Sequence, residues 1–186
     1  MNARTTVVLA IFLCACGGGA AATSRGGTAT ESEATSALGV SDALARAEAA
    51  YPGTHAFEVE VEEHEGRRVI EVEVLSGAEV REIYYDPSTG DVVHEASETP
   101  EAEEAAALPT LRDGIAAGTF SLRGALTLAA SSYPAGSIEA VELQVEGGTP
   151  VVSIVVRGAS GSTRHVHDAA TGTLVSSAPG SAEHAE

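Results

Sequence analysis

The sequence of 186 residues contains no lysine and no tryptophan, and aromatic residues make up 4% of it. Its ten basic residues are all arginines and stand against 27 acidic residues, so the formal net charge is −17. Nucleic-acid binding needs a basic stripe that faces the phosphates, and this charge argues against such a partner. An anionic membrane surface would repel the chain for the same reason.

Cysteine is equally scarce, with Cys14 and Cys16 near the N-terminus and none after them. Positively charged Arg4 precedes a short apolar run over residues 5–13. That run is too short to span a bilayer, which takes about 20 residues. The pattern predicts a signal peptide over residues 1–15.

The end of this segment, Leu13-Cys14-Ala15-Cys16 followed by Gly17, resembles the lipobox of bacterial lipoproteins. The resemblance implies that Cys16 becomes the first mature residue and carries the acyl chains, palmitate among them. Gly17, where other lipoproteins have aspartate, resembles those that Gram-negative cells send to their outer membrane. An ordinary secretory signal with incidental cysteines is the alternative. With Cys14 removed and Cys16 acylated, no disulfide is expected.

The remaining chain divides by composition. Residues 16–38 predict a lipidated cysteine and a flexible tether, and residues 177–186 predict a disordered tail. Residues 96–120 read as an acidic, partly helical connector. Its helix is predicted to start at Thr99-Pro100 and to end before Pro109. Its apolar side chains are expected to tuck against the sheets; these are Leu111, Ile115 and Phe120.

An internal duplication organises the rest. A shift of 82 residues places 43–93 on 125–175 without a gap, and Asp86-x-x-Thr89-Gly90 then matches Asp168-x-x-Thr171-Gly172. We therefore predict two repeats, over residues 39–95 and 121–176. A unit of this size buries only about 60% of its unfolded surface, so the repeats are expected to share a core or to contact each other.

Each repeat reads as a helix followed by strands. Ser41 is a candidate N-cap, and Tyr51-Pro52 ends the helix. Alternation of apolar residues with glutamates then predicts two strands joined by a Glu65-Gly66 turn. This register places Val61 opposite Ile70, Val59 opposite Val72, Phe57 opposite Val74 and Glu63 opposite Arg68. The predicted fold class is α+β, with each repeat a helix packed on a small antiparallel β-sheet.

The helix end, the alternating strands and Tyr84-Tyr85-Asp86-x-x-Thr89-Gly90 resemble the PepSY domain. Residues 41–94 carry the pattern well; residues 121–175 carry it less well, since Thr173 replaces the usual acidic residue. The resemblance implies a small α+β unit without catalytic residues. It also implies inhibition or local control of peptidases, the role proposed for the family.

The outward face of the first hairpin is unusual because glutamates face each other across it. The register pairs Glu60 with Glu71 and Glu58 with Glu73, and opposed like charges destabilise a sheet. Three interpretations remain open: a solvated surface, a docking surface for a basic partner, or a weak cation site with oxygen ligands suited to Ca²⁺. Of the three, the docking surface makes these four glutamates candidate partner-binding residues.

Charge is divided unevenly between the repeats. Residues 41–95 hold 14 acids and 4 arginines, whereas residues 121–176 hold 4 acids and 3 arginines. The second hairpin presents Ala140, Val151 and Val155 on the corresponding outward face. An apolar outer face usually needs a cover, so Val151 and Val155 are further candidate contact residues, for the first repeat, the connector or a partner.

Catalytic and metal-binding patterns are weak. His165 and His167 share a strand face, and His94 or Asp168 could complete a metal site with them, but ordinary strand histidines fit the spacing better. Tyr51 and Tyr133 are expected to pack at helix ends. No Gly-x-Ser-x-Gly elbow, Walker pattern or lysine base occurs, so we expect no enzyme and no cofactor.

The sequence therefore predicts an exported, lipid-anchored, non-enzymatic binding module in the cell envelope, which modulates a peptidase or another envelope protein. The alternative is a structural envelope lipoprotein without inhibitory activity. Both place the protein on the periplasmic side of a membrane, and both make its partner a protein.

Overall fold

The computed structural model describes residues 37–100 and 102–180. The predicted signal peptide, Cys16, most of the tether and most of the tail lie outside these residues. Within them the chain forms three helices and eight strands: α1 Val40–Ala50, β1 His55–His64, β2 Arg67–Ser76, β3 Glu79–Tyr85, β4 Val92–Glu98, α2 Ala102–Ala116, α3 Leu122–Ser132, β5 Ser137–Glu146, β6 Thr149–Gly158, β7 Gly161–Asp168 and β8 Leu174–Pro179.

One antiparallel sheet joins these strands in the order β4-β3-β2-β1-β5-β6-β7-β8. We call α1 with β1 to β4 the first unit (residues 40–98) and α3 with β5 to β8 the second unit (residues 122–179). The mixed helix and antiparallel-sheet architecture agrees with the prediction. The prediction of a small sheet for each repeat differs from the structure, because the units pair edge to edge in one sheet and thereby remove two exposed strand edges.

The units meet where β1 pairs with β5. Val59 lies directly opposite Val141, and both side chains are 0% exposed. The two valines are 82 positions apart, the same shift that aligns the two halves of the sequence. The junction therefore relates the units by a local two-fold arrangement. A single apolar core contains residues of both units, as expected for units this small.

The predicted hairpin register is confirmed over most of its length. Val59 faces Val72, Val61 faces Ile70 and Glu63 faces Arg68. The turn residues Glu65 and Gly66 both have positive φ, as a type I′ turn requires.

The pairing of Phe57 with Val74 is wrong. A β-bulge makes Phe57 the extra residue, and Ala56 faces Val74 instead. The second unit has a register shift between Ile138 and Ala140, which makes Glu139 the extra residue of β5. Glu139 is the residue that the 82-residue shift places on Phe57.

The first helix of each unit packs on the same face of the sheet by a narrow stripe of small and leucine side chains. In α1 the buried residues are Ala43, Leu44 and Ala47. In α3 they are Leu122, Ala125, Leu126 and Ala129. The N-cap of α1 is Gly39 rather than Ser41, because the helix already begins at Val40.

Two boundaries differ from the prediction. Helix α2 runs through Pro109 instead of ending before it. The proline lacks an N–H and cannot donate to the preceding turn, but buried Leu108 and Leu111 on either side hold the helix in the core. Ile115 and Phe120 pack against that core as expected. Strand β8 continues to Pro179, so residues 177–179 belong to the sheet and not to a tail.

Candidate functional site

The face of the sheet opposite α1, here called the open face, carries the glutamates predicted from the hairpin register. Glu60 lies opposite Glu71, and Glu58 lies opposite Glu73. The structure extends the second pair in both directions, because Glu73 also faces Glu82 on β3 and Glu58 also faces Glu142 on β5. The result is a row of four glutamates across four adjacent strands.

Glu82 and Glu142 were not predicted as members of this row. The sequence does carry a signal for Glu142, since the 82-residue shift places it on Glu60. Which strands become neighbours, however, decides whether two such residues meet. That information is not present in the local alternation of either hairpin.

The interpretation of this face as a solvated surface does not hold at its centre. Glu58, Glu60 and Glu71 are only 2–5% exposed. Each has an interaction partner, as the burial of a charged group requires. Their burial therefore leaves little of these three carboxylates accessible to another molecule.

Carboxylate oxygens crowd together on this face. Those of Glu60, Glu62 and Glu71 lie within 4.8 Å of one another, and so do those of Glu71, Glu73 and Glu82. Oxygen ligands at such spacing suit a hard cation. Acidic clusters of this kind are also common without an ion, so the spacing alone identifies no cation site.

A cluster of rings lies beside the glutamates. His64 is 4.4 Å from Tyr84 between ring centroids, and His94 is 5.1 Å from His64 and 5.4 Å from Tyr84. The Tyr84 hydroxyl donates to Glu82 at 2.8 Å. Burial raises the pKa of Tyr84, and hydrogen bonds with Glu82 and Glu71 raise it further. Tyr84 is thus a permanent donor to the acidic row.

On the open face of the second unit, apolar side chains lie beneath the polar side chain of Arg164. Val151 and Val155 are each 5% exposed, so the predicted apolar patch is not freely accessible. Arg164 reaches across β6 and donates through Nε to Ser153 at 2.8 Å and through Nη2 to Gln144 at 2.7 Å. Its guanidinium covers this face from within the same unit.

The helix-side face of the second unit joins His165, His167 and Tyr133. The Tyr133 ring stacks on His165 at 4.2 Å, and its hydroxyl oxygen lies 2.7 Å from Nε2 of His167. Burial raises the pKa of Tyr133. Burial, followed by the nearby His167, lowers the pKa of His165.

Tyr51 packs in the corresponding position of the first unit. It donates to Glu95 at 2.5 Å, and the Arg81 guanidinium lies 5.1 Å from its ring centroid. The hydrogen bond from Tyr51 lowers the pKa of Glu95. The predicted helix-end packing of both tyrosines is confirmed.

The metal site imagined around His165 and His167 does not form. His94 lies on β4, at the opposite edge of the sheet, and the Asp168 carboxylate is bound in its own turn by Thr171. Within residues 37–100 and 102–180, the groups close enough to hold an ion are all glutamates.

One serine–histidine contact appears that the sequence did not predict. Ser177 Oγ lies 2.8 Å from Nδ1 of His165. The two residues are direct cross-strand partners on β8 and β7. In the described part of the chain no carboxylate orients this histidine, so the pair lacks the third member of a hydrolytic triad.

The outer strands carry the exposed apolar side chains. Among the described residues, the large hydrophobic side chains with substantial exposure are Val92, Val93, Leu174 and Val175, at 43–63%. They occupy the first two positions of β4 and of β8, and the shift of 82 places one pair on the other. No helix in the described ranges is long and apolar enough to cross a bilayer.

Comparison with known proteins identifies the first unit. Residues 37–94 match the family model described as "Peptidase propeptide and YPEB domain", PepSY, and these residues therefore form a PepSY domain. PepSY domains are typically non-catalytic modules of propeptides or inhibitors. No curated protein sequence matches the chain significantly.

One solved structure resembles the chain loosely. It is described as a "putative lipoprotein" from Clostridium difficile 630 and is 16% identical, with a TM-score of 0.45. The similarity covers 78% of this chain and 95% of the other.

Proposed function

We propose that this protein is an exported, lipid-anchored binding module with two PepSY-like units, which docks on a peptidase or another envelope protein and modulates it without catalysis. The observation that carries the proposal is the PepSY match over residues 37–94. A protein that acts by surface occlusion needs a rigid scaffold and no reactive centre. A continuous eight-stranded sheet with one covered face supplies such a scaffold.

The second unit supports a tandem arrangement. In both units an aspartate carboxylate accepts from the backbone of its own turn, Asp86 from Ser88 at 2.7 Å and Asp168 from Thr171 at 2.7 Å. The glycine of each turn has positive φ and donates to the carbonyl of the same aspartate. Unrelated hairpins would not be expected to repeat the bulge, the turn and the helix stripe at one constant shift.

The membrane anchor rests on the lipobox-like residues that end in Cys16. We propose that Cys16 is acylated and that the folded units extend from the outer membrane of a Gram-negative cell, as Gly17 suggests. Metabolic labelling with a palmitate analogue should mark the wild-type protein and not Cys16→Ser, whereas Cys14→Ser should retain the label. Labelling of Cys16→Ser would refute the anchor and leave the binding role intact.

The binding surface we propose combines the acidic open face with the outer strands. Glu58, Glu60, Glu71 and Glu73 steer a basic partner through their field, which acts even where the side chains are shielded. The partner then contacts the half-buried or exposed side chains around these glutamates and the exposed apolar pairs at the start of β4 and β8. Val151 and Val155 support this surface from inside the second unit.

Capture from envelope extracts tests the proposal. The full chain, immobilised through its C-terminus, should retain a peptidase or another envelope protein, and the retained peptidase should lose activity when the full chain is added. The association rate should fall as ionic strength rises, because steering is screened within about 10 Å at 0.1 M salt. A rate that does not depend on salt would remove the steering role of the glutamates.

A structural role is the competing function, since the exposed apolar pairs on two opposite edges also suit an assembly element. In that case the captured proteins would be envelope scaffold components, and no peptidase would change its activity. Those two readouts separate the alternatives.

A further inference from the structure

The second unit contains two histidines and a tyrosine that close α3 onto the sheet, and the proposed docking role does not use them. We propose that Tyr133, His165 and His167 form an acid-sensitive latch, which holds the end of α3 on β7 at neutral pH and releases it when the imidazoles are protonated. The latch is a property of the fold. It stands whether or not a partner is bound.

The hydrogen bonds of His167 fix its neutral form. Nδ1 lies 3.0 Å from the carbonyl oxygen of Gly172, and a carbonyl can only accept. Nδ1 therefore carries the hydrogen, and Nε2 accepts the hydrogen bond from the Tyr133 hydroxyl. The ring is 4% exposed, so water does not compete for these positions. Each polar atom of the ring is satisfied while the ring is neutral.

Protonation reverses the second of these bonds. With a hydrogen on Nε2, the imidazolium becomes the donor and the Tyr133 oxygen must accept, so the phenol hydrogen has to turn away from the ring and loses His167 as its acceptor. His165 lies two residues along the same strand face, 4.2 Å from the Tyr133 ring, and its own positive charge would add to that of His167. Burial and the proximity of His167 already lower the pKa of His165.

Within residues 37–100 and 102–180, no group of opposite charge faces either ring. The groups that face the two histidines are Val152 and Ile154 from β6, Leu174 and Ser177 from β8, and Tyr133 from α3. The titratable neighbour in the adjoining turn is Asp168, and its carboxylate accepts from Ala170 and Thr171 instead. Among the described residues, a proton added to either ring therefore has no local counterion.

The first unit lacks this chemistry. Ile83 and Tyr85 occupy the positions of His165 and His167 under the 82-residue shift, and Tyr51 donates to Glu95. The lowered pKa of Glu95 keeps that carboxylate charged across the range in which histidines titrate. The C-terminal end of α1 therefore serves as an internal control when the pH dependence of the C-terminal end of α3 is measured.

Hydrogen exchange of the full chain tests the latch. We expect amides at residues 129–133 to lose protection between pH 7 and pH 5, after correction for intrinsic exchange, by about tenfold for each unit by which folding lowers the pKa of His165. Amides at residues 47–51 should keep their protection. Equal protection of residues 129–133 at both pH values would overturn the proposal, as would a parallel loss in both helices.

Matched variants assign the effect to these residues. His165→Gln with His167→Gln should abolish the pH dependence at residues 129–133, whereas His64→Gln with His94→Gln should preserve it. Should the first variant fail to fold, NMR titration of the wild-type imidazoles decides the matter. The midpoints of His165 and His167 should coincide with the midpoint of the exchange change, and midpoints that differ would overturn the latch.

Discussion

The two units use one backbone plan with opposite interior chemistry, most clearly around the β-bulge. In the first unit the bulged Phe57, together with Leu75 and Val80, belongs to the apolar core. In the second unit the 82-residue shift puts Glu139, Arg157 and Ser162 at these three positions. Arg157 and Ser162 both donate to the buried Glu139 carboxylate. Three polar side chains thus replace three apolar ones, while the strands and the bulge stay at corresponding positions.

The replacement works because all three residues change together. A carboxylate buried alone would cost several kcal/mol, whereas one that accepts from an arginine and a serine is compensated.

On the open face the contrast is reversed, because there it is the first unit that carries the charged side chains. The first unit concentrates its charge on the open face, and the second keeps that face largely apolar beneath Arg164. The two units therefore share their backbone fold although the chemistry of their surfaces differs.

Separation of the units should have the largest effect. A fragment of residues 37–100 loses β5 as the neighbour of β1 and loses the core residues of α3, so Val59 becomes an edge position. We expect no cooperative unfolding transition in circular dichroism with urea. The full chain under the same conditions is the control. A cooperative transition of the fragment would show that each unit folds independently.

Exchange of the bulge residues should have the next largest effect, and it should be asymmetric. Phe57→Glu places a carboxylate in the apolar core that also contains Leu75 and Val80, and we expect a loss of about 3–5 kcal/mol in the free energy of unfolding. Glu139→Phe removes a carboxylate beside Arg157, whose side chain is 63% exposed and can turn to water. That change should cost less than about 1.5 kcal/mol.

Urea denaturation of both variants measures this asymmetry. Phe57→Leu is the control for the loss of ring volume without a charge, and it should cost clearly less than Phe57→Glu. Equal losses from Phe57→Glu and Glu139→Phe would mean that the two bulges are energetically alike, and the comparison between the units would fail at this point.

Local sequence patterns predicted the parts of the fold that local chemistry determines. Alternation and the Glu65-Gly66 turn fixed the first hairpin because a slip of one residue would reverse its faces. The pairing of Val59 with Val141 joins strands 82 residues apart, and no short-range pattern encodes it. The place of Glu142 in the glutamate row follows from that pairing, and so does the position of Glu60 opposite Ala140. Both were therefore beyond local reasoning.

Substitution of the turn glycines should give a smaller difference between the units. Gly90 and Gly172 both have φ near +70°, so alanine at either position should cost about 1–2 kcal/mol. At Gly90 a new Cβ would also collide with the Arg46 guanidinium, which donates to the Gly90 carbonyl, whereas at Gly172 it would meet Leu128 at 3.6 Å.

Gly90→Ala should therefore lower the free energy of unfolding by about 0.5–1.5 kcal/mol more than Gly172→Ala does, since that is the usual contribution of one hydrogen bond. Arg46→Ala in the Gly90→Ala background checks the cause, since it should add little further loss. A full additional loss would show that Arg46 and Gly90 act independently.

The turn aspartates should give the smallest difference, because each carboxylate accepts from two backbone N–H groups and one hydroxyl of its own turn. Hydrogen bonds from a side-chain hydroxyl, followed by those from backbone N–H groups, lower the pKa of Asp86 and of Asp168. Between the lowered folded pKa and the unfolded value near 4, the unfolded chain binds more protons, so this stabilisation is present above about pH 4 and is lost as pH falls.

Asp86→Asn and Asp168→Asn should each lower the melting temperature at pH 7, by similar amounts, and less at pH 3. A decrease that persists at pH 3 would assign the effect to geometry and not to the charge, and unequal decreases at pH 7 would locate a difference between the units in the turns as well as in the core.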